Sequence, residues 1–383
     1  MRKIYFDHSA TTPVDDRVLE KMLPFFSTTF GNPSSIHNYG REARMALNAA
    51  RENLASLIHA APDELIFTSG GTEADNLAIK GLAFHPNNQR RHIITTSVEH
   101  HAVLNVCKYL EQRGFHVTYL PVDQYGMVSP DKLTEHISED TFLISIMHAN
   151  NEVGTINPIQ EIGAIAREHG ICFHSDAVQS FGKIPIDVNA LNVDLLSISA
   201  HKIYGPKGIG ALYVRKGIPL QKLNHGGHHE YERRAGTENV PAIIGFEMAA
   251  SLCQDNLPAE TEQIAHLRNN LQTQILARIP RVHLNGHPAQ RLPGHLNLSF
   301  EGVEGEALLL SLDLKGIAAS SGSACTAGTT ENSHVLLAMG IKPFLAQSAI
   351  RFTLGRMNSS ADIEYTVEVL PEIIERLRKI SPF

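Results

Sequence analysis

Lys202 closes the apolar run Val193-Asp194-Leu195-Leu196-Ser197-Ile198 and is followed by Ile203-Tyr204-Gly205-Pro206-Lys207-Gly208. Burial at a strand end penalises an ammonium and lowers its pKa. The neutral amine can form a Schiff base with an aldehyde cofactor; the plainer reading is a lysine stem snorkelling from a strand end. Asp176 ends the run Phe173-His174-Ser175, at the carboxyl edge where open α/β sheets bind ligands. A carboxylate there either pairs with a protonated pyridine nitrogen or caps the next turn. His100, in Val98-Glu99-His100-His101, follows Ile93–Ser97. It suits stacking on a cofactor ring and proton shuttling, or sits at the surface. Phe67-Thr68-Ser69-Gly70-Gly71-Thr72-Glu73 leads into a helical segment, Ala74 to Phe84. Gly70 and Gly71 let the backbone approach a ligand, and Thr72 is expected to cap the helix, its amides aimed at an anion. An ordinary capped turn has the same composition. The loop is neither GxGxxG nor a Walker A loop, which weighs against dinucleotides and ATP. Taken together, cup, edge Asp, edge His and strand-end Lys describe a site for pyridoxal 5'-phosphate.

Such residues need a sheet edge to bring them together. Leu65–Ser69, Ile93–Ser97, His116–Leu120, Phe142–Met147, Ile171–Ser175 and Val193–Ser199 read as short buried strands, and Gly208–Val214 adds another. Helical patterns lie between several of them. One spans about Ser35 to Ile58, with Leu47, Ala50, Leu54 and Leu57 on one face. Another is expected to start at Asn157-Pro158, with Asn as cap, and to stop at Gly170. The alternation predicts an α/β fold with a mainly parallel sheet. Near Asp255-Asn256-Leu257-Pro258 the character changes, and a long helix is expected to follow through Ile264, Leu267, Leu271 and Ile275. A final helix runs through Ile363, Val367 and Leu370. The expected domains are 12–258, and 1–11 with 259–383.

The bulk properties narrow the function class. A chain of 383 residues, 43% hydrophobic without a long apolar segment, reads as a globular protein with no membrane partner. A net charge of −7 argues against a nucleic-acid grip. The N-terminus, Met-Arg-Lys-Ile-Tyr-Phe-Asp, lacks the apolar core of a signal peptide. Cys107, Cys172, Cys253 and Cys325 form no CxxC pair. Neither a zinc site nor a disulfide framework is suggested, and a reducing cytoplasm is expected.

FTSGGTE, EHH, NNEVGTINPI, HSDAVQS and SAHKIYGPKGIGALYVR resemble motifs of the cysteine desulfurases, fold-type I pyridoxal-phosphate enzymes of the aminotransferase class V group. DHSATTPVD, FGNPSSIH, RAGTENV and SSGSACTAG extend the resemblance, in order, over nearly the whole chain. It implies a mainly parallel large domain and a smaller α+β domain carrying a cysteine loop. It assigns Lys202 to covalent cofactor attachment and to Cα proton removal, and Asp176 to the pyridine nitrogen. His100 would lie over the ring and Gln179 at the ring hydroxyl. Asn151 would lie near that hydroxyl and the substrate. Gly71, Thr72, Ser199 and His201 would hold the phosphate. Thr237 would reach the phosphate of the other subunit, implying a homodimer. Arg351 would grip the substrate carboxylate, with Arg356 the weaker candidate. Cys325 lies among small residues, which suits a mobile loop. By the resemblance it takes the sulfur of L-cysteine as a persulfide, leaving L-alanine. A sulfur-acceptor protein, such as an iron–sulfur scaffold, would receive it.

Three departures stand out. Gly226-Gly227-His228-His229-Glu230 replaces the usual GGGQE, which with His225 makes a histidine cluster. Without supporting carboxylate or thiol spacing it reads as a solvent-facing loop, and no metal is expected. Asn332 stands where the family commonly has proline, which is expected to loosen the helix start there. Asp7-His8-Ser9-Ala10 differs slightly from the commoner DYAA or DNAA. Rival readings are selenocysteine lyase, cysteine C–S lyase or class V aminotransferase on the same scaffold. A non-catalytic sulfur-transfer adaptor is another; a nicotinamide dehydrogenase lacks its fingerprint.

Overall fold

The computed structural model describes residues 2–321 and 332–380. Among the described residues the strands fall into three sheets. The chain opens on β1 (Ile4–Tyr5). Then β2 (Leu65–Thr68), β3 (His92–Thr96), β4 (His116–Leu120), β5 (Thr141–Ser145), β6 (Cys172–Asp176), β7 (Leu195–Ser199) and β8 (Gly210–Val214) build one sheet. Its order is β2-β8-β7-β6-β5-β3-β4. Pairing is parallel from β4 to β7, and β8 runs antiparallel to both β7 and β2.

These strands are apolar on both faces because helices cover both. Leu65 and Phe67 pack into a core with Leu47 and Leu54 of the helix Asn38–Ser56. Ile66, between them, points to the other face and packs with Leu77 and Ala78 of the helix Gly71–Ala83. Leu196 and Leu195 divide in the same way.

Three sequence expectations need correction. The helix expected from Ser35 begins at Asn38, where His37 caps it: the His37 Nδ1 accepts from the Gly40 N–H at 3.3 Å. Asn157 does not cap the helix Ile159–Glu168. Its side chain instead ties two loops, accepting from the Val128 N–H at 3.1 Å and donating to the Met147 carbonyl at 2.8 Å. The long helix does not start after Pro258 but runs unbroken from Val240 to Arg278, with Pro258 inside it. The compositional change marks where its buried face passes from one core to another. Ile243 and Phe246 lie in the first core, whereas Ile264, Leu267, Leu271 and Ile275 lie in a second.

That second core forms on an antiparallel sheet and the C-terminal helix. β9 (Val282–Asn285) and β10 (His295–Phe300) pair, and β11 (Ile317–Ala318) pairs parallel with β1. β12 (Ala349–Thr353) lies on the other side of β10, with Arg351 opposite Asn297. Leu296, Leu298, Ile350 and Phe352 pack against Val367 and Leu370 of the helix Ser360–Ile380. Among the described residues no helix is long and apolar enough to cross a membrane.

Candidate active site

The parallel strands end at one edge, and their ends line a cavity of about 340 Å³. Asp176 is the last residue of β6 and is buried. One carboxylate oxygen accepts from the Val178 N–H at 2.9 Å. Burial pushes its pKa up to about 6, against lowering by that bond and by the Lys202 charge. β7 ends at Ser199, and a tight 3₁₀ turn, Ala200–Lys202, presents the lysine to the cavity. Its Nζ donates to the Ser9 and Ala10 carbonyls, each at 2.6 Å. Gln179 donates through Nε2 to the same Ser9 carbonyl at 2.9 Å.

His100 occupies the N-cap of the helix His101–Glu111, its Nδ1 accepting from the Ala102 N–H at 3.1 Å. The Nδ1 lone pair is therefore engaged, which places the ring hydrogen on Nε2. Burial, with the nearby Lys202 charge, pushes the pKa of His100 down to about 4, so the ring is neutral near pH 7. Glu99 ties this turn to the segment that follows β5. Its buried carboxyl accepts from the Met147 N–H at 3.0 Å and from the Thr96 hydroxyl at 2.8 Å.

The far wall comes from the second core. The Arg351 side chain is almost fully buried on β12 yet lines the same cavity. Its Nη1 donates to the Asn151 carbonyl at 3.1 Å, and its Nη2 to the Asp7 carboxylate at 2.8 Å. Asn151 itself lines the cavity. Arg356 does not line it. Its guanidinium binds Asp15 and Glu260, both at 3.2 Å, and stacks on the Tyr204 ring, which is a structural role.

The glycine-rich loop opens beside this cavity. Gly70 has φ of 150°, a conformation that favours glycine, and it, not Thr72, holds the N-cap position of Gly71–Ala83. Thr72 is thus the second helical residue. The Glu73 carboxylate supplies the local bond instead, accepting from the Ser69 N–H at 2.6 Å and held by Arg234 at 2.8 Å. Gly71, Thr72, Ser199 and His201 all border this opening. Burial leaves His201 with a pKa near 4, and its Nδ1 lies 3.2 Å from the Thr11 hydroxyl. The Ser199 hydroxyl is buried without a hydrogen-bond partner among the described residues. An orphaned donor beside open helix amides fits a phosphate. With a lysine amine and a carboxylate across the cavity, the residues present fit pyridoxal 5'-phosphate.

Sequence reasoning missed a second layer. Asp75 lines the cavity together with Asp176, and burial, then the charge of that carboxylate, raises its pKa well above the usual range. His174, its Nε2 3.6 Å from Asp75, is held between the hydroxyls of Ser145 at 2.8 Å and Ser197 at 3.0 Å. Polar residues within otherwise apolar strands were the available signal. Burial pushes the thiols of Cys107 and Cys253 up to about 12 and 11, far from reactive thiolates. Thr237 is exposed and does not line this cavity. Among the described residues no three His, Cys, Asp or Glu side chains are placed to hold a metal. His228 instead binds Glu232 at 2.6 Å. Cys325 lies outside the described residues. Asn332 precedes Ser333, whose hydroxyl caps the helix His334–Ala338 without the family's proline, accepting from the Leu336 N–H at 3.2 Å.

Comparison with known proteins is consistent with this geometry. The family model described as Aminotransferase class-V matches residues 4–366. A curated relative, cysteine desulfurase IscS of Methanosarcina thermophila, is 54% identical over 381 residues, covering 100% of this chain and 94% of the relative. A solved NifS-like protein superposes with a TM-score of 0.93 at 40% identity, over 98% of this chain and 100% of that one. SspA, solved in complex with cysteine, gives a TM-score of 0.83 at 41% identity, over 92% and 99%.

Proposed function

The chain belongs to the aminotransferase class-V family, and from that premise we propose that it is a pyridoxal-phosphate-dependent cysteine desulfurase. It converts L-cysteine to L-alanine and carries the sulfur as a persulfide on Cys325. The observation that carries this reading is the convergence of Lys202, Asp176 and Arg351, from two different cores, on one cavity. The full-length likeness to cysteine desulfurases supports the same reaction.

When bound, pyridoxal phosphate supplies an electron sink for charge developing at the substrate Cα. The chain's own residues divide the remaining work. Gly71, Thr72, Ser199 and His201 would hold the phosphate, and Asp176 would pair with the ring nitrogen. Gln179 would donate to the ring hydroxyl, with Asn151 nearby. The planar fork of Arg351 takes the substrate carboxylate in a bidentate grip. The Lys202 amine takes the Cα proton and returns it. His100, neutral with its hydrogen on Nε2, moves a proton at the substrate thiol. The Cys325 thiolate takes the sulfur. One cysteine and one protein thiol become one alanine and one protein persulfide, with no external oxidant.

The proposal extends to a cytoplasmic homodimer that hands its sulfur to an acceptor protein for iron–sulfur cluster or thio-cofactor synthesis. Leu23, Phe26, Phe30, Ile36, Tyr39 and Met45 are large, apolar and exposed within one stretch of chain, which supports a covered face. The exposed Thr237 is available to a second copy. The test is alanine and sulfide release from L-cysteine with a reductant present. Wild type is expected to release both and Cys325→Ala to release no sulfide; sulfide release by that variant would refute the persulfide route.

A further inference from the structure

Gln179 and Lys183 stand four residues apart on the tight turn after β6. The turn is closed by the Phe181 N–H to the Ala177 carbonyl at 2.8 Å and the Ile184 N–H to the Ser180 carbonyl at 3.1 Å. Between them Gly182 has φ of 69°, and a Cβ there would come within 2.8 Å of the Ile203 side chain. The turn therefore packs directly on the residue that follows Lys202. Lys183 does not line the large cavity. It borders a smaller one of about 40 Å³ on the other side of Lys202.

The Lys183 ammonium donates to Gln179 Oε1 at 3.1 Å. The other end of that amide, Nε2, donates to the Ser9 carbonyl at 2.9 Å. An ammonium only donates, a carbonyl only accepts, and an amide nitrogen carries two hydrogens. Flipping the amide would set its NH₂ against the ammonium and its oxygen against the Ser9 carbonyl. Both contacts would turn repulsive, so the orientation is fixed. One Nε2 hydrogen is then spent on Ser9 and the second remains for the large cavity, which Gln179 lines.

We infer that Lys183 is a positioning residue: its ammonium locks the Gln179 amide with Nε2 toward the cavity, where it donates to the ring hydroxyl of the cofactor. This rests on the cofactor reading above. The titratable and charged groups around Lys183 are Lys202, His8, His201, Tyr204, Cys253, Glu260, His295 and Arg351. Burial first, then the Lys202 and Arg351 charges, pushes its pKa down to about 7, with Cys253 opposing. The lock is thus half set near pH 7, nearly complete a pH unit below it, and weakens as pH rises.

The test measures the visible band of the pyridoxal-phosphate-loaded protein as a function of pH, together with the cofactor's dissociation constant. Wild type, Lys183→Met, Lys183→Arg, Gln179→Leu and the Lys183→Met/Gln179→Leu double variant are compared. A donor on the ring oxygen drains the negative charge that holds a neighbouring proton. Losing it is expected to raise the titration midpoint by about one pH unit, as befits one hydrogen bond to a charged group. Lys183→Met and Gln179→Leu should shift the midpoint alike, the double variant no further, and Lys183→Arg should restore it. An unshifted Lys183→Met, or a double variant whose shift is the sum of the singles, would overturn the inference. If Lys183→Met does not fold, Lys183→Leu, which likewise lacks a donor, takes its place. Wild type that acquires no visible band would overturn the cofactor reading instead, and this inference with it.

Discussion

At the carboxyl edge of the large sheet, Asp176, Lys202 and His100 each lie at or within a few residues of a strand end. Arg351, on the opposite wall, lies in the middle of β12, and its carboxylate partner Asp7 is 344 positions away in the chain. The first wall is built by repetition: parallel strands bring successive turns to one line, and each turn presents one reactive side chain. The second wall is built by a long-range contact in which β12, the N-terminal segment and the Asn151 loop meet around one guanidinium. The difference predicts different failures. Changes on the sheet edge should strike the chemistry or the cofactor, whereas changes on the far wall should strike substrate capture.

The largest effect is expected on the sheet edge. Lys202→Ala removes the proposed proton acceptor and cofactor anchor, and alanine release should fall by about 10⁴-fold, at the upper end of general acid–base contributions. A fall of only a few-fold would move the chemistry off this wall. Next comes the far wall. Arg351→Ala should lower kcat/KM for L-cysteine by about 100-fold, the worth of a paired charge-assisted contact, with most of the change in KM. Arg351→Lys should recover only part, because an ammonium lacks the planar fork. If kcat falls and KM does not, the division between the walls is wrong.

A third, smaller effect separates cofactor binding from catalysis. Burial holds the Asp176 pKa near 6, so below that pH the carboxyl must lose a proton before it can pair with a cationic ring. Pyridoxal-phosphate affinity of the apoprotein should therefore weaken as pH falls below 6, approaching tenfold per pH unit from this group. The difference between wild type and Asp176→Asn in a fluorescence titration isolates that slope; parallel curves would contradict it. The smallest effect is Ser199→Ala. One hydroxyl bond to a charged phosphate is worth about 1.5 kcal/mol at the low end, so affinity should fall about tenfold without a change in KM.

The same contrast explains what could be read from the sequence. Lys202, Asp176 and His100 stood out because each follows a run of apolar residues, and strand ends in an α/β sheet converge by topology alone. The parallel sheet was legible for the same reason. Helix starts were less so: Asn157 has the side chain of a cap but spends it on Val128 and Met147, a tertiary choice that no local pattern records. Thr72 yielded its capping place to Gly70 because only glycine readily takes that backbone angle. The unbroken helix Val240–Arg278 hid behind Pro258, and its two halves serve different cores. Arg351 was found only through resemblance. Its partners Asp7 and Asn151 belong to remote segments, and an arginine within an apolar strand otherwise suggests only a buried ion pair. Asp75, His174 and Lys183 were passed over because their neighbours are supplied by other strands and turns.

The central claim is that both walls serve one reaction, transfer of sulfur from L-cysteine to Cys325. Mass spectrometry of the pyridoxal-phosphate-loaded protein after brief treatment with L-cysteine, without reductant, tests it most directly. One added sulfur is expected on the peptide containing Cys325, accompanied by alanine in equal amount and absent from Lys202→Ala. Alanine released with no sulfur on that peptide would contradict it and point to a lyase.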